Sequence, residues 1–170
     1  MRRFATVLFL LSALVAAVAA ANVRAAADDG TLSVKDGNGV VQVRARGGVM
    51  GRVTRGSVQL TDVNEGDGGT AMLKCDNEVA TDRSDSTLDP DDTVKWCTGS
   101  NIRFRLVGGS FRLFVTGVGV NVSVVGKGRV TLVGKSIDPG LYSVNDSEYV
   151  ELPLDRLTFE LDAAATTSTP

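Results

Sequence analysis

Six arginines, Arg44, Arg46, Arg103, Arg105, Arg112 and Arg129, are the side chains of this chain best suited to chemistry. Each guanidinium is planar, permanently charged and forked in a way that matches carboxylate and phosphate. They alternate with apolar residues in Ile102-Arg103-Phe104-Arg105-Leu106, Phe111-Arg112-Leu113, Val43-Arg44-Ala45-Arg46 and Arg129-Val130-Thr131-Leu132. Side chains of an extended strand point alternately to its two faces, so one face is predicted apolar and the other basic. The buried side is then Val41, Val43, Val58, Leu60, Ile102, Phe104, Leu106, Phe111, Leu113, Val122, Val124, Val130 and Leu132. The basic side is a candidate surface for an anionic wall polymer, a glycan or an acidic protein.

Charge is segregated along the chain. Residues 40–61 and 101–135 carry ten Arg or Lys and no acid, whereas 62–100 carry ten acids against three bases. Residues 136–162 add seven acids and one base. A second use of the arginines follows: acidic segments of the same chain, tethered at high effective concentration, can fold over and neutralise them.

Other chemistries fit less well. The chain has no histidine, which removes Ser-His-Asp and Cys-His arrangements and imidazole ligation. Two cysteines cannot form a four-thiolate zinc site. In an oxidising compartment, Cys75 and Cys97 are expected to form one disulfide, because the count is even and the spacing is not that of a redox motif. Asp62 to Gly68 and Asp85 to Asp92 are rich in oxygen ligands for calcium but miss the EF-hand pattern, with Leu73 where its glutamate would stand. Adjacent acids such as Asp91 and Asp92 lack the separation and burial that glycosidase chemistry requires. The Gly-x-Gly pairs precede no helical pattern and are not phosphate loops. Nucleic acid is not an expected partner, because Trp96, Tyr142 and Tyr149 are not interleaved with the arginines as a stacking platform would need. No cofactor or metal is expected.

The elements that must hold these residues are strands. Short Val-rich runs of period two are separated by glycine, and no stripe of period 3.6 occurs. Strands are predicted over Thr31–Lys35, Val40–Arg46, Val49–Val53, Ser57–Thr61, Ile102–Val107, Phe111–Thr116, Val120–Val125, Arg129–Val133, Leu141–Val144 and Arg156–Leu161, with shorter pieces at Lys74–Val79 and Thr93–Trp96. Asp36-Gly37-Asn38-Gly39, Arg55-Gly56, Gly108-Gly109 and Gly126-Lys127-Gly128 read as tight hairpin turns. These features predict an all-β fold, an antiparallel sandwich or barrel of short glycine-punctuated strands. Glycines recur about every nine residues, which leaves a β-solenoid as the alternative.

Arg2 and Arg3 precede an uncharged apolar run from Phe4 to about Val18 and then small residues through Ala27. That is the order of a secretory signal peptide, and its core is expected to be helical. Cleavage is predicted after Ala27 in preference to Ala21, since Asp28 and Asp29 then open the mature chain. An uncleaved anchor is the alternative, and in that case the signal segment would be the sole contact with the membrane. The expected organisation is a signal peptide at 1–27, one all-β domain at 28–162 with an acidic disulfide-closed insertion at 62–100, and a mobile tail at 163–170.

Through Ile102-Arg103-Phe104-Arg105-Leu106-Val107-Gly108-Gly109 and Gly47-Gly48-Val49-Met50-Gly51-Arg52-Val53, the chain resembles small exported proteins of unassigned function from high-GC Gram-positive bacteria. The resemblance spans roughly residues 30–135 and implies a secreted all-β domain, with no activity or site attached. The expected function is that of a secreted or envelope-associated, non-catalytic module with a structural or binding role. The alternatives are an acid-dependent hydrolase using carboxylates of 62–100 and a calcium-stabilised surface module.

Overall fold

A computed structural model describes residues 28–63, 67–77, 80–82 and 92–166. The strands are β1 (Gly30–Val63), β2 (Thr70–Lys74), β3 (Ala80–Asp82), β4 (Thr93–Gly134), β5 (Leu141–Val144), β6 (Val150–Glu151) and β7 (Leu157–Leu161). All pair antiparallel into one sheet of order β2-β4-β1-β5-β6, with β3 and β7 also beside β4. The sheet does not close into a barrel, because the path has free ends at β2 and β6. The successive parallel coils of a solenoid are absent among the described residues.

Two very long strands dominate. Nine of the expected strands, Thr93–Trp96 among them, lie inside β1 or β4, where the chain runs on without reversing. The glycine clusters therefore mark corners within continuous strands, and the hairpin reading of them is wrong. Pairing shows why the chain bends there. Residues 39–46 lie between 110–117 and 127–134, residues 48–53 lie between 102–107 and 120–125, and residues 55–62 lie between 93–100 and 111–118. A strand can have one partner strand on both sides only if the two wind about each other.

The winding sorts the stretches into two panels. The first runs β7, 127–134, 39–46, 110–117, 55–63, 93–100 and β3. The second runs β6, β5, 30–37, 120–126, 47–53, 102–107 and β2. Successive stretches of β1 and β4 alternate between them, and a glycine marks the passages. Gly47 faces Gly126, and Gly56 faces both Gly99 and Gly117. A Cβ at Gly47 would strike the Val125 carbonyl and lie 2.8 Å from the Gly126 Cα, and one at Gly117 would strike the Arg55 carbonyl. Paired glycines thus let two backbones approach more closely than side chains permit.

Alternation within each stretch sends every second side chain inward. All thirteen residues expected in the core are buried, and both panels feed one cluster, to which Tyr142, Val144, Leu152 and Leu161 add the C-terminal contribution. Burial at about 25 cal/mol per Å² of apolar surface drives this arrangement. Cys75 and Cys97 form the expected disulfide, with Cα atoms 6.7 Å apart, and tie the residue after β2 to the first stretch of β4.

Other expectations are modified. The short strand placed at Lys74–Val79 is instead β2, which ends where that range begins. Residues 70–74 and 93–100 of the acidic segment are strands of the sheet. Residues 163–166, taken for the start of a mobile tail, are bonded: the Ala163 amide donates to Asp28 O at 3.1 Å, and the Asn145 amide group donates to Ala165 O at 2.8 Å. The expected signal segment 1–27 and residues 167–170 lie outside the described residues.

Candidate anion-binding surfaces

On the outward side of the first panel three arginines stand in register. Arg44 pairs with Arg112 on one neighbour and with Arg129 on the other. Strands in a sheet are about 4.8 Å apart, and like charges directly opposite each other are destabilising. Carboxylates meet the two ends of the row. Arg129 donates from Nη2 to Glu160 Oε1 at 2.7 Å and from Nε to the same oxygen at 2.8 Å. Arg112 lies 3.9 Å from the buried Asp92 carboxylate. Arg44, in the middle, has no carboxylate partner among the described residues. One position further along the same face, Arg46 pairs with Lys127 and Ser110.

The next outward row, two residues along each strand, is uncharged. It reads Thr158, Thr131, Gln42, Phe114, Gln59 and Trp96 across neighbouring strands. Two shallow recesses lie between the rows. One of about 250 Å³ is lined by Gln42, Arg44, Gln59, Thr61, Arg112 and Phe114, and one of about 440 Å³ by Gln42, Arg44, Arg129, Thr131 and Glu160.

The second panel holds a different basic group. Arg52 is in register with Arg103, which pairs in turn with Lys74 on the sheet edge. Arg105 lies between Met50 and Met72, both exposed. A recess of about 560 Å³ is lined there by Ser33, Lys35, Met50, Arg52, Arg103 and Arg105, among others. None of these arginines has a carboxylate partner among the described residues. At its rim the Tyr149 hydroxyl donates to Ser33 Oγ at 2.8 Å, and the Lys35 ammonium lies 3.8 Å from the Tyr149 ring centroid. The tyrosine pKa falls below its ordinary 10.0, first because the Ser33 hydroxyl can bond the phenolate and next because Lys35 stands beside it.

All six arginines singled out from alternation are exposed, and their apolar neighbours are buried. Their grouping on one face is incorrect. Arg44, Arg46, Arg112 and Arg129 belong to the first panel, and Arg103 and Arg105 to the second, because Gly108 and Gly109 turn the chain from one panel to the other between them. Arg52, Lys74, Gln42, Gln59 and Phe114 were not singled out; each occupies an outward alternate position, so the same pattern could have found them. Trp96 also shares the first panel's outward side, 47% exposed, whereas Tyr142 is fully buried. Of the oxygen-rich segments, Asp62 and Asp92 are buried. Residues 64–66 and 83–91 lie outside the described residues.

Comparison with protein-family models, curated proteins and solved structures finds no match for this chain.

Proposed function

We propose that the protein is an exported or envelope-associated, non-catalytic β domain that binds an anionic partner through its outward arginines. The order of stretches in the two panels supports reading the wound sheet as a jelly-roll-like sandwich, a scaffold that presents broad outer faces. The observation that carries the proposal is the in-register row Arg129-Arg44-Arg112. Placing like charges on adjacent strands costs stability, and a bound anion offsets that cost at Arg44, which has no carboxylate partner among the described residues. The disulfide is compatible with an oxidising destination.

Internal neutralisation is favoured by the contacts of Glu160 with Arg129, Asp92 with Arg112 and Asp28 with Lys127. Among the described residues no carboxylate pairs with Arg44, Arg103 or Arg105, and an exposed ion pair contributes only about 0–1 kcal/mol. The test is retention of the mature domain on anionic cell-wall polymer at low salt. Wild type is expected to be retained and to elute with rising salt, because condensed counterions and protein cations compete for the same charges. The variant Arg44→Ser/Arg103→Ser/Arg105→Ser, with an unchanged circular dichroism spectrum, is expected to flow through. Equal retention of the two would reject the proposal in favour of neutralisation.

A further inference from the structure

We infer that the first panel is a site for a linear acidic polysaccharide, one that carries carboxylates on its sugar rings. The inference rests on the anionic-partner reading above and names its ligand class.

Two rows with different chemistry run side by side across the strands. The charged row is Arg129, Arg44 and Arg112, and the uncharged row contains Gln42, Phe114, Gln59 and Trp96. Residues two apart on a strand are separated by roughly 7 Å. A sugar ring lying over Thr131, Gln42 or Phe114, whose neighbours two residues along are Arg129, Arg44 and Arg112, therefore brings a ring carboxylate beside an arginine, while Gln59 and Trp96, which adjoin Thr61 and Val94, extend the uncharged row beyond the charged one. Trp96 and Phe114 are in register on either side of Gln59, two strand spacings apart, or roughly 10 Å. That distance is the reach of a disaccharide, so alternate sugars can set their apolar faces on the two aromatic rings while the amides of Gln59 and Gln42 bond hydroxyls between them.

The chemistry favours this ligand over other polyanions. A phosphate polymer has no apolar ring face for Trp96 and Phe114 and no regular hydroxyls for the two glutamines. A neutral glycan would supply no counter-charge to Arg44, which has no carboxylate partner among the described residues. Recesses adjoin Arg44 on both sides, with Gln42 shared between them. An extended chain fits such a trough better than a compact anion does. The second panel sets two exposed methionines, Met50 and Met72, on either side of Arg105, and so offers apolar contact there where the first panel offers Gln42 and Phe114.

The chain's one tryptophan is Trp96, so its emission reports directly on the site. The mature domain is titrated with polygalacturonate, with inorganic polyphosphate and with dextran, following fluorescence and affinity. Polygalacturonate is expected to shift the emission saturably, polyphosphate to bind more weakly, and dextran not to bind. Arg44→Ser and Trp96→Ala are each expected to weaken polygalacturonate binding roughly tenfold or more. Lys135→Ser, an exposed cation away from both rows, should leave it unchanged. Polygalacturonate binding that leaves the emission and the Trp96→Ala affinity unaltered would overturn this site while the anionic-partner reading stands. Tighter binding of polyphosphate would overturn the sugar class alone. Failure of both polyanions to bind would overturn both readings.

Discussion

Gly47 and Gly48 are adjacent in sequence and should respond oppositely to the same substitution. A Cβ at Gly47 would strike the Val125 carbonyl oxygen and approach the Gly126 Cα to 2.8 Å, with the backbone at φ +141°. Both obstacles are backbone atoms of the neighbouring strand, so no side-chain rotation relieves them. At Gly48 the nearest atom to an added Cβ is Leu106 O at 3.5 Å, an ordinary contact. Overpacking of this kind typically costs 1–3 kcal/mol, and alanine in a conformation it resists adds to it, so Gly47→Ala is expected to destabilise by about 2–3 kcal/mol. For a domain of this size that is a fall in Tm on the order of 6–12 °C. Gly48→Ala should stay within about 0.5 kcal/mol of wild type. The assay is urea unfolding of the oxidised protein followed by circular dichroism, with equal m-values as the check that the midpoints are comparable. If Gly48→Ala were as damaging as Gly47→Ala, the corner would behave as an ordinary turn sensitive at every glycine, and the account of paired glycines at the crossing of two wound strands would be refuted.

The disulfide and Tyr149 give two further tests. The Cys75–Cys97 bridge closes a segment of 22 residues in sequence separation, so Cys75→Ala/Cys97→Ala is expected to lose roughly 3 kcal/mol in urea; an unchanged midpoint would show that β2 and the first stretch of β4 hold each other without it. The fold lowers the pKa of Tyr149, so it stabilises the phenolate. That contribution is nil at neutral pH, grows as pH rises through the folded value, and is complete above the unfolded value. Ultraviolet titration of tyrosinate should show one phenol ionising early, and Ser33→Ala, which removes the largest cause, should move its midpoint back up; a midpoint unmoved in that variant would assign the shift elsewhere.

Much of this was legible in residues with strong local signatures. Alternation in Ile102-Arg103-Phe104-Arg105-Leu106 is enough to assign each side chain to the core or to solvent, since the period of a strand is two whatever its partners are. The cysteine pair followed from count and compartment. What local pattern could not carry was which strand lies beside which. Gly-Gly and Arg-Gly dipeptides favour positive φ, and this suits a two-residue hairpin as well as a bend in a continuous strand. Gly108 and Gly109, at φ +75° and +76°, satisfy the conformational demand of a turn without reversing the chain. The choice between the two is made by pairing over many residues, as when Gly39 meets Gly117 and Gly134 together.

The spacing of the glycines nevertheless contained the missing information. Four of the eight glycines of β4, Gly99, Gly108, Gly117 and Gly126, stand nine residues apart, and Gly109, Gly119 and Gly128 lie within two residues of the last three. If each is a hairpin, consecutive strands are neighbours and all their outward residues lie on one surface. If each is a corner of two wound strands, consecutive stretches belong to opposite panels, and those two apart share one. Under the second rule Arg112 and Arg129, in stretches two apart, fall together, and Arg103 and Arg105, one stretch before Arg112, fall on the other panel. The observed registers obey that rule throughout. Two modest basic patches then replace one large one, and the patch that acquires a row of amides and aromatics beside it acquires it because 39–46, 55–63 and 93–100 return to the first panel on the same period. Which panel presents each arginine is thus set by the corner interval, while alternation within a stretch sets its exposure.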